Sequence, residues 1–201
     1  MSIGIVILAA GGSGRMGKAK QTLQVETGKS MLRRTAEIAL ETSLRPVVVV
    51  VGANKKEVVP ELDRLGVTII DNSKWADGVS SSMTIGLAGL YMMHKGLTGA
   101  IVLTCDQPFV TTELIEYLVH RFEKSGKKAV MSKYGKKSGF PLLIGSSFFA
   151  EVTHLTGEEE VTKVLEKHVK EIDYVDFDKG SVDINTPEEY LHYIQSLSPE
   201  S

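Results

Sequence analysis

What this chain is short of narrows it first. One cysteine, Cys105, in 201 residues excludes an internal disulfide and suits a reducing compartment, so a cytoplasmic protein is expected. No stretch approaches the ~18 consecutive apolar residues of a membrane span. The first apolar run, Ile3 to Ala10, has no basic leader and ends in glycines, which reads as a core strand rather than a signal peptide. The formal net charge is only −2. General nucleic-acid and membrane-surface binders are usually basic overall, so neither partner is expected. The five histidines, at 94, 120, 154, 168 and 192, lack metal-ligand spacing, and no side chain stands out as a covalent nucleophile. Repeats, low-complexity tracts and linkers are also lacking. The reading is one domain over residues 1–197 with a frayed tail at 198–201.

What is there is an alternation of short β-branched runs and amphipathic segments. Strands are expected at Ile3–Ala9, Val47–Val51, Val67–Ile70 and Ala100–Thr104. The five consecutive valines imply a strand buried on both faces. Helices are expected at Ser30–Glu41, from Asn54 to about Leu65 behind an Asn54/Glu57 capping box, at Ser81–Met93 and at Thr112–Lys124. Strands at Lys128–Ser132, Pro141–Ile144 and Ile172–Phe177 and helices at Ser146–Val152 and Glu159–His168 follow less regularly. A last helix opens with Thr186, Pro187 and Glu189. Such alternation implies an α/β domain of three αβα layers around a mainly parallel sheet.

The segment LAAGGSGRMGKAK, residues 8 to 20, admits three readings. Gly12, Gly14 and Gly17 spell the G-x-G-x-x-G of dinucleotide folds, but a helix should open at once and an acidic residue should end strand two. Neither condition is met. A P-loop needs Ser or Thr after its lysine to meet magnesium, and Ala19 stands there. A long glycine loop with Arg15, Lys18 and Lys20 suits a triphosphate better. Glycines let backbone N–H groups face phosphate oxygens, and cations balance the charge.

A divalent metal needs a carboxylate nearby, and open α/β sheets bind ligands at the carboxyl ends of strands. Asp106 ends the fourth strand. In SVDINTPEEY, Asp183 and Asn185 alternate along a short extended segment and face one side. If the acceptor is a phosphate monoester, its oxygen is already anionic, and catalysis reduces to positioning and charge neutralisation. Cys105 reads as a small buried hydrophobe. In DNSKWADGVSSSMTIGL, Gly78 lets backbone approach a flat base and Ser82 meets its edge. Trp75 reads as packing.

The loop resembles the L-A-A-G-x-G-x-R-M-G-x-x-K motif of nucleotidyltransferases that activate sugars, alcohols and the molybdenum cofactor. Asp106-Gln107-Pro108, the N-x-x-W-x-x-G-x-x-x-S-x-x-x-G-L pattern and the DINTPEE ending are similar to the molybdenum-cofactor branch. The double alanine Ala9-Ala10 is similar to its cytidylyltransferases. The resemblance covers about residues 3 to 194. It implies a Rossmann-like fold of the nucleotide-diphospho-sugar transferase type that transfers CMP from CTP to molybdopterin and releases pyrophosphate. It implies nucleotide contacts from Leu8, Ala9, Ala10, Gly11, Gly12, Gly14, Arg15, Gly17, Lys20, Gly78 and Ser82. Arg15, Lys20 and Asp106 would be catalytic. Mg2+ or Mn2+ would sit on Asp106 with Asp183 or Asn185, the choice between these two being open. Residues 126–180 would hold the acceptor, and a transient contact with a molybdoenzyme or its chaperone is part of the same expectation. The alternatives are GTP as donor, a sugar or alcohol phosphate as acceptor, or an inactive nucleotide sensor or chaperone. The acceptor side departs from the pattern. Phe140 replaces a histidine, Glu158-Glu159-Glu160 replace D-x-G-A-R so that an arginine is absent, and Ala19 replaces a proline.

Overall fold

The structure, a computed structural model, describes residues 1–155 and 161–197. The first strand, β1 (Ile3–Ala9), is followed by the glycine loop and a small hairpin of β2 (Gln24–Glu26) and β3 (Lys29–Ser30). Helix α1 (Met31–Glu41) starts where the Ser30 side chain accepts from the Arg33 N–H at 3.1 Å, a local N-cap. Then come β4 (Val47–Val51), the short α2 (Lys55–Val58), β5 (Thr68–Asp71), α3 (Val79–Met93), β6 (Gly99–Thr104) and α4 (Thr112–Ser125). The last third holds β7 (Ala129–Tyr134), β8 (Lys137–Gly145), α5 (Phe149–Thr153), α6 (Val161–Glu166), β9 (Ile172–Asp176) and α7 (Pro187–Leu197).

Seven strands form one sheet in the order β5-β4-β1-β6-β8-β7-β9. Only β8 runs antiparallel to its neighbours. The period-2 alternation of strands decides which side each residue serves. Ile3, Ile5, Ile7, Val47, Val49 and Val51 pack on one face with Leu32 and Ala36 of α1 and Ile115 and Leu118 of α4. Val6, Leu8, Val48 and Val50 pack on the other with Met83, Leu87 and Leu90 of α3, Val152 of α5 and Leu165 of α6. Each such fully buried aliphatic side chain contributes about 1.5–3 kcal/mol of transfer free energy. This is the three-layer α/β domain the sequence predicts. Among the described residues no helix is long and apolar enough to cross a membrane.

A third, smaller cluster lies under the glycine loop. Met16, Leu23, Val25, Met31, Ile184 and Tyr193 are its buried members. Tyr190 and Tyr193 of α7 donate their hydroxyls to the Gln24 and Val25 carbonyls at 2.7 and 3.3 Å. The C-terminal helix thereby braces the hairpin that follows the loop.

Four local expectations change. The helix expected to run from Asn54 to Leu65 is one turn of α-helix and a 3-10 turn, Val59–Leu62. Pro60 removes a donor there. The Asn54 side chain does not cap; it reaches across to the Gly12 carbonyl at 3.4 Å. The third strand is Thr68–Asp71, one residue later than predicted, because Val67 ends a turn bonded to the Leu65 carbonyl. Residues 146–148 form a 3-10 turn before α5. The helix expected at Glu159–His168 is Val161–Glu166, and its first two residues lie outside the described ones. So do Thr156 to Glu160, on which the missing-arginine comparison rests.

Candidate active site at the carboxyl ends of β1 and β6

The loop after β1 is sorted by polarity. The carbonyls of five consecutive residues all accept hydrogen bonds. Gln21 Nε2 donates to the Ala9 oxygen at 3.0 Å and to the Gly11 oxygen at 2.9 Å. The Ala53 N–H donates to the Ala10 oxygen at 3.1 Å, and the Asn54 amide to that of Gly12. The Ser13 carbonyl accepts from the Met16 and Gly17 N–H groups at 3.0 and 3.2 Å. By contrast, the N–H groups of Gly11, Gly12, Ser13, Gly14 and Arg15 donate to no described residue. A run of such N–H groups is a concavity for anions.

Ser13 holds the turn with φ at +55°, a conformation that costs a non-glycine residue roughly 1–2 kcal/mol. Its hydroxyl offsets this. It donates to Gln21 Oε1 at 3.2 Å and accepts the Lys20 N–H at 3.1 Å. After the loop comes a three-residue 3-10 turn, Lys20–Thr22, not a helix. The dinucleotide reading of the glycines therefore lacks its helix in the structure as well.

Lys20 crosses the cleft. Its Nζ donates to Asp106 Oδ2 at 2.6 Å and to Asn185 Oδ1 at 2.7 Å. Removal from water alone would lower its pKa. The Asp106 carboxylate, with Cys105 and Asp183 nearby, outweighs that and holds the ammonium above its ordinary value. The 183–185 segment is tied to β6 by the Ile184 N–H, which donates to the Asp106 carbonyl at 2.9 Å. Ile184 is fully buried, so Asp183 and Asn185 take the opposite side of the extended chain. Desolvation, then the charge of Asp106, pushes the Asp183 carboxyl up to about 6. Helix α7 begins directly behind. Thr186 Oγ1 accepts the Glu189 N–H, and Glu189 Oε2 takes the N–H groups of both Asn185 and Thr186 at 2.7 and 3.0 Å. This is the capping box read from the sequence.

Leu8, Ala9, Ala10, Gly11, Gly12, Lys20, Gly78, Ser82 and Asp106 all line one cleft of about 270 Å3. Gly78 opens α3 with φ at +94°, a conformation that favours glycine. Ser82 is buried and accepts from Asn72 Nδ2 at 3.0 Å. Asp183 and Asn185 lie beyond this lining; Asn185 joins it through Lys20. Gly14, Arg15 and Gly17 sit on the exposed crest of the loop, and Arg15 makes no ion pair or hydrogen bond to a described residue. Cys105 lines the floor and is buried. Its desolvation, with Asp106 adjacent, pushes the thiol up to about 12, which suits a packing residue.

Gln21, Trp75, Val79 and Thr104 also line the cleft and escape the sequence reading. Trp75 forms a wall and stands so close over Gly12 that a Cβ there would lie 3.1 Å from its ring. Its place in the N-x-x-W-x-x-G spacing was the available signal. Gln21 has none beyond its position after Lys20.

The donor set matches a hard divalent cation. Among the described residues no three His, Cys, Asp or Glu side chains gather to hold a metal. Asp106, Asp183 and the Asn185 amide oxygen supply two carboxylates and a neutral oxygen. Magnesium takes one or two carboxylates and completes its shell with phosphate oxygens and water.

Residues 5–172 match the MobA-like NTP transferase domain. Nicotine blue oxidoreductase of Paenarthrobacter nicotinovorans is 26% identical, with 92% of each chain covered. A probable molybdenum cofactor guanylyltransferase of Pelotomaculum thermopropionicum is 28% identical over 65% of this chain and 57% of its own. In fold, the chain superposes on the manganese complex of Rv0371C from Mycobacterium tuberculosis H37Rv with a TM-score of 0.77 at 20% identity, covering 98% and 100% of the two chains. The matched domain takes in both the glycine loop and Asp106, and with it the chain belongs to the MobA-like NTP transferase family and is an enzyme of the nucleotidyltransferase type.

Proposed function

We propose that this enzyme transfers CMP from CTP to the phosphate of molybdopterin, releasing pyrophosphate. The observation that carries the reading is the juxtaposition of five loop N–H groups, which donate to no described residue, with Lys20 and the Asp106 and Asn185 oxygens it bridges. An anion cradle beside the Asp106 carboxylate suits a metal-bound triphosphate.

In this reading the loop N–H groups, Lys20 and Arg15 grip the triphosphate. Gly78 and Ser82 receive the base, with Trp75 as a wall. Asp106, joined by Asp183 or Asn185, would hold the divalent ion, which would supply charge neutralisation at the α-phosphate. An anionic oxygen of the acceptor phosphate attacks the α-phosphorus in line. The bond from that phosphorus to the bridging oxygen breaks, and its electron pair leaves with pyrophosphate. No proton has to be removed from the nucleophile at neutral pH. Lys20 donates to the charge that accumulates, as electrostatic stabilisation requires. Residues 126–180 supply the acceptor side. The choice of CTP draws its support from Ala9-Ala10 and the α3 pattern, and the molybdopterin acceptor from the guanylyltransferase relative and the DINTPEE ending.

Pyrophosphate release is the test, with each of the four nucleoside triphosphates, Mg2+ or Mn2+, and molybdopterin beside sugar and alcohol phosphates. Release with CTP and molybdopterin is expected. Release with GTP, or with another acceptor only, replaces the finer assignment. Nucleotide binding without turnover on any acceptor marks an inactive sensor.

A second reading comes from nicotine blue oxidoreductase, which matches along nearly the whole chain. Against it stands the glycine loop, which opens no helix of the dinucleotide kind. Turnover of nicotine blue as a redox substrate, without pyrophosphate release from any triphosphate, would favour it.

A further inference from the structure

We infer that Gln21 is a positioning residue that sets the polarity of the glycine loop, so that the loop shows phosphate its N–H groups and not its carbonyls. The inference rests on the triphosphate reading above. It deepens that reading by naming what keeps the cradle in the binding form.

The argument starts from the backbone. A loop rich in glycine has little to prevent a peptide plane from rotating by half a turn, which exchanges an N–H for a C=O. An exposed carbonyl would repel phosphate where an N–H attracts it. Gln21 is 1% exposed, and its amide is fully engaged. Both Nε2 hydrogens go to loop carbonyls, at Ala9 and Gly11, and Oε1 takes the Ser13 hydroxyl. Three points of the loop are thus pinned by one rigid planar group. The Ser13 hydroxyl passes the constraint on to the Lys20 N–H, so the loop and its cation are set together. The front of the loop is open: a Cβ at Gly11 or Gly14 would meet nothing within 4 Å. Burying an amide with every donor and acceptor satisfied fixes one arrangement, because any rotated peptide would leave a buried polar group unpaired.

Gln21→Met keeps the volume and removes all three hydrogen bonds. The probe is inorganic tripolyphosphate, followed by calorimetry and by the amide signals of Gly11, Gly12 and Gly14 in a 15N-labelled protein. The wild type is expected to bind it with shifts at those three amides. In Gln21→Met, affinity is expected to fall about 10–100-fold, the cost of two or more lost hydrogen bonds, and the three shifts to disappear while the remaining spectrum stays dispersed. A merely structural Gln21 would lower the unfolding midpoint and leave affinity and shifts intact; that result overturns the inference. Should Gln21→Met not fold, Ser13→Ala, on a partly exposed residue, is expected to weaken binding about threefold, and unchanged affinity overturns the inference. If the wild type itself binds neither tripolyphosphate nor any nucleoside triphosphate, the nucleotide reading fails, and this one with it.

Discussion

Gln21 and Gln107 each spread one buried amide over two backbone carbonyls, but they choose different kinds of carbonyl. Gln21 takes those of Ala9 and Gly11, two residues apart in one loop. Gln107 takes those of Phe140 and Gly180, each at 3.0 Å, from segments forty residues apart in sequence. The first glutamine shapes a local motif. The second staples the expected acceptor side to the turn that carries Asp106. The glycine loop is therefore shaped by contacts within contiguous sequence, and the turn that carries Asp106 is tied to remote segments of the chain. Phe140, a departure from the family pattern, supplies one of these long-range ties through its carbonyl.

Five experiments break or sharpen that contrast. Asp106→Ala should cost about 10³ or more in the rate of pyrophosphate release, the scale of losing a principal electrostatic stabiliser. A variant that keeps a tenth of the activity removes Asp106 from the mechanism. Lys20→Ala should weaken triphosphate binding by about 10–100-fold, as for a lost charge-assisted hydrogen bond, read by calorimetry with a nonhydrolysable nucleotide. Gln107→Met should lower stability by about 2 kcal/mol, since two carbonyls lose their donor, measured by urea unfolding. It should also leave tripolyphosphate affinity within about threefold. An equal loss of that affinity would erase the distinction between the two glutamines.

Arg15→Ala should raise the nucleotide KM by only about three- to tenfold with no change in melting temperature, because an exposed cation contributes little. Last, Cys105 should resist alkylation in the folded protein. With its thiol pushed up to about 12, the thiolate fraction stays small between pH 7 and 9, so native labelling should be slow throughout that range and fast only after unfolding. Rapid native labelling near pH 8 would mean that the floor of the cleft opens.

The legible parts share one trait. Ile3–Ala9, Val47–Val51 and the Thr186–Glu189 capping box are each marked by a pattern that spans only a few residues, and they stand where that pattern puts them. The α2 region departs from its capping-box pattern because Pro60 removes a backbone donor and the Asn54 amide is drawn to the Gly12 carbonyl. Hairpin β2–β3 leaves no trace in the pattern because its strands, of three and two residues, are too short to show an alternation. Trp75 looked like packing, and it does pack, on Gly12; its second face toward the cleft follows from the fold alone.

The order of the main strands and helices, the glycine-rich loop after β1 and the strand-end position of Asp106 were decided by sequence alone, through periodicity, glycine content and capping. The meeting of Lys20 with Asp106, 86 residues on, and with Asn185, 165 residues on, was decided only by the tertiary structure. Nothing in local periodicity specifies such a contact. It exists because parallel strands carry their carboxyl ends to one edge of the sheet, and because buried Ile184 pulls its flanking residues to that edge.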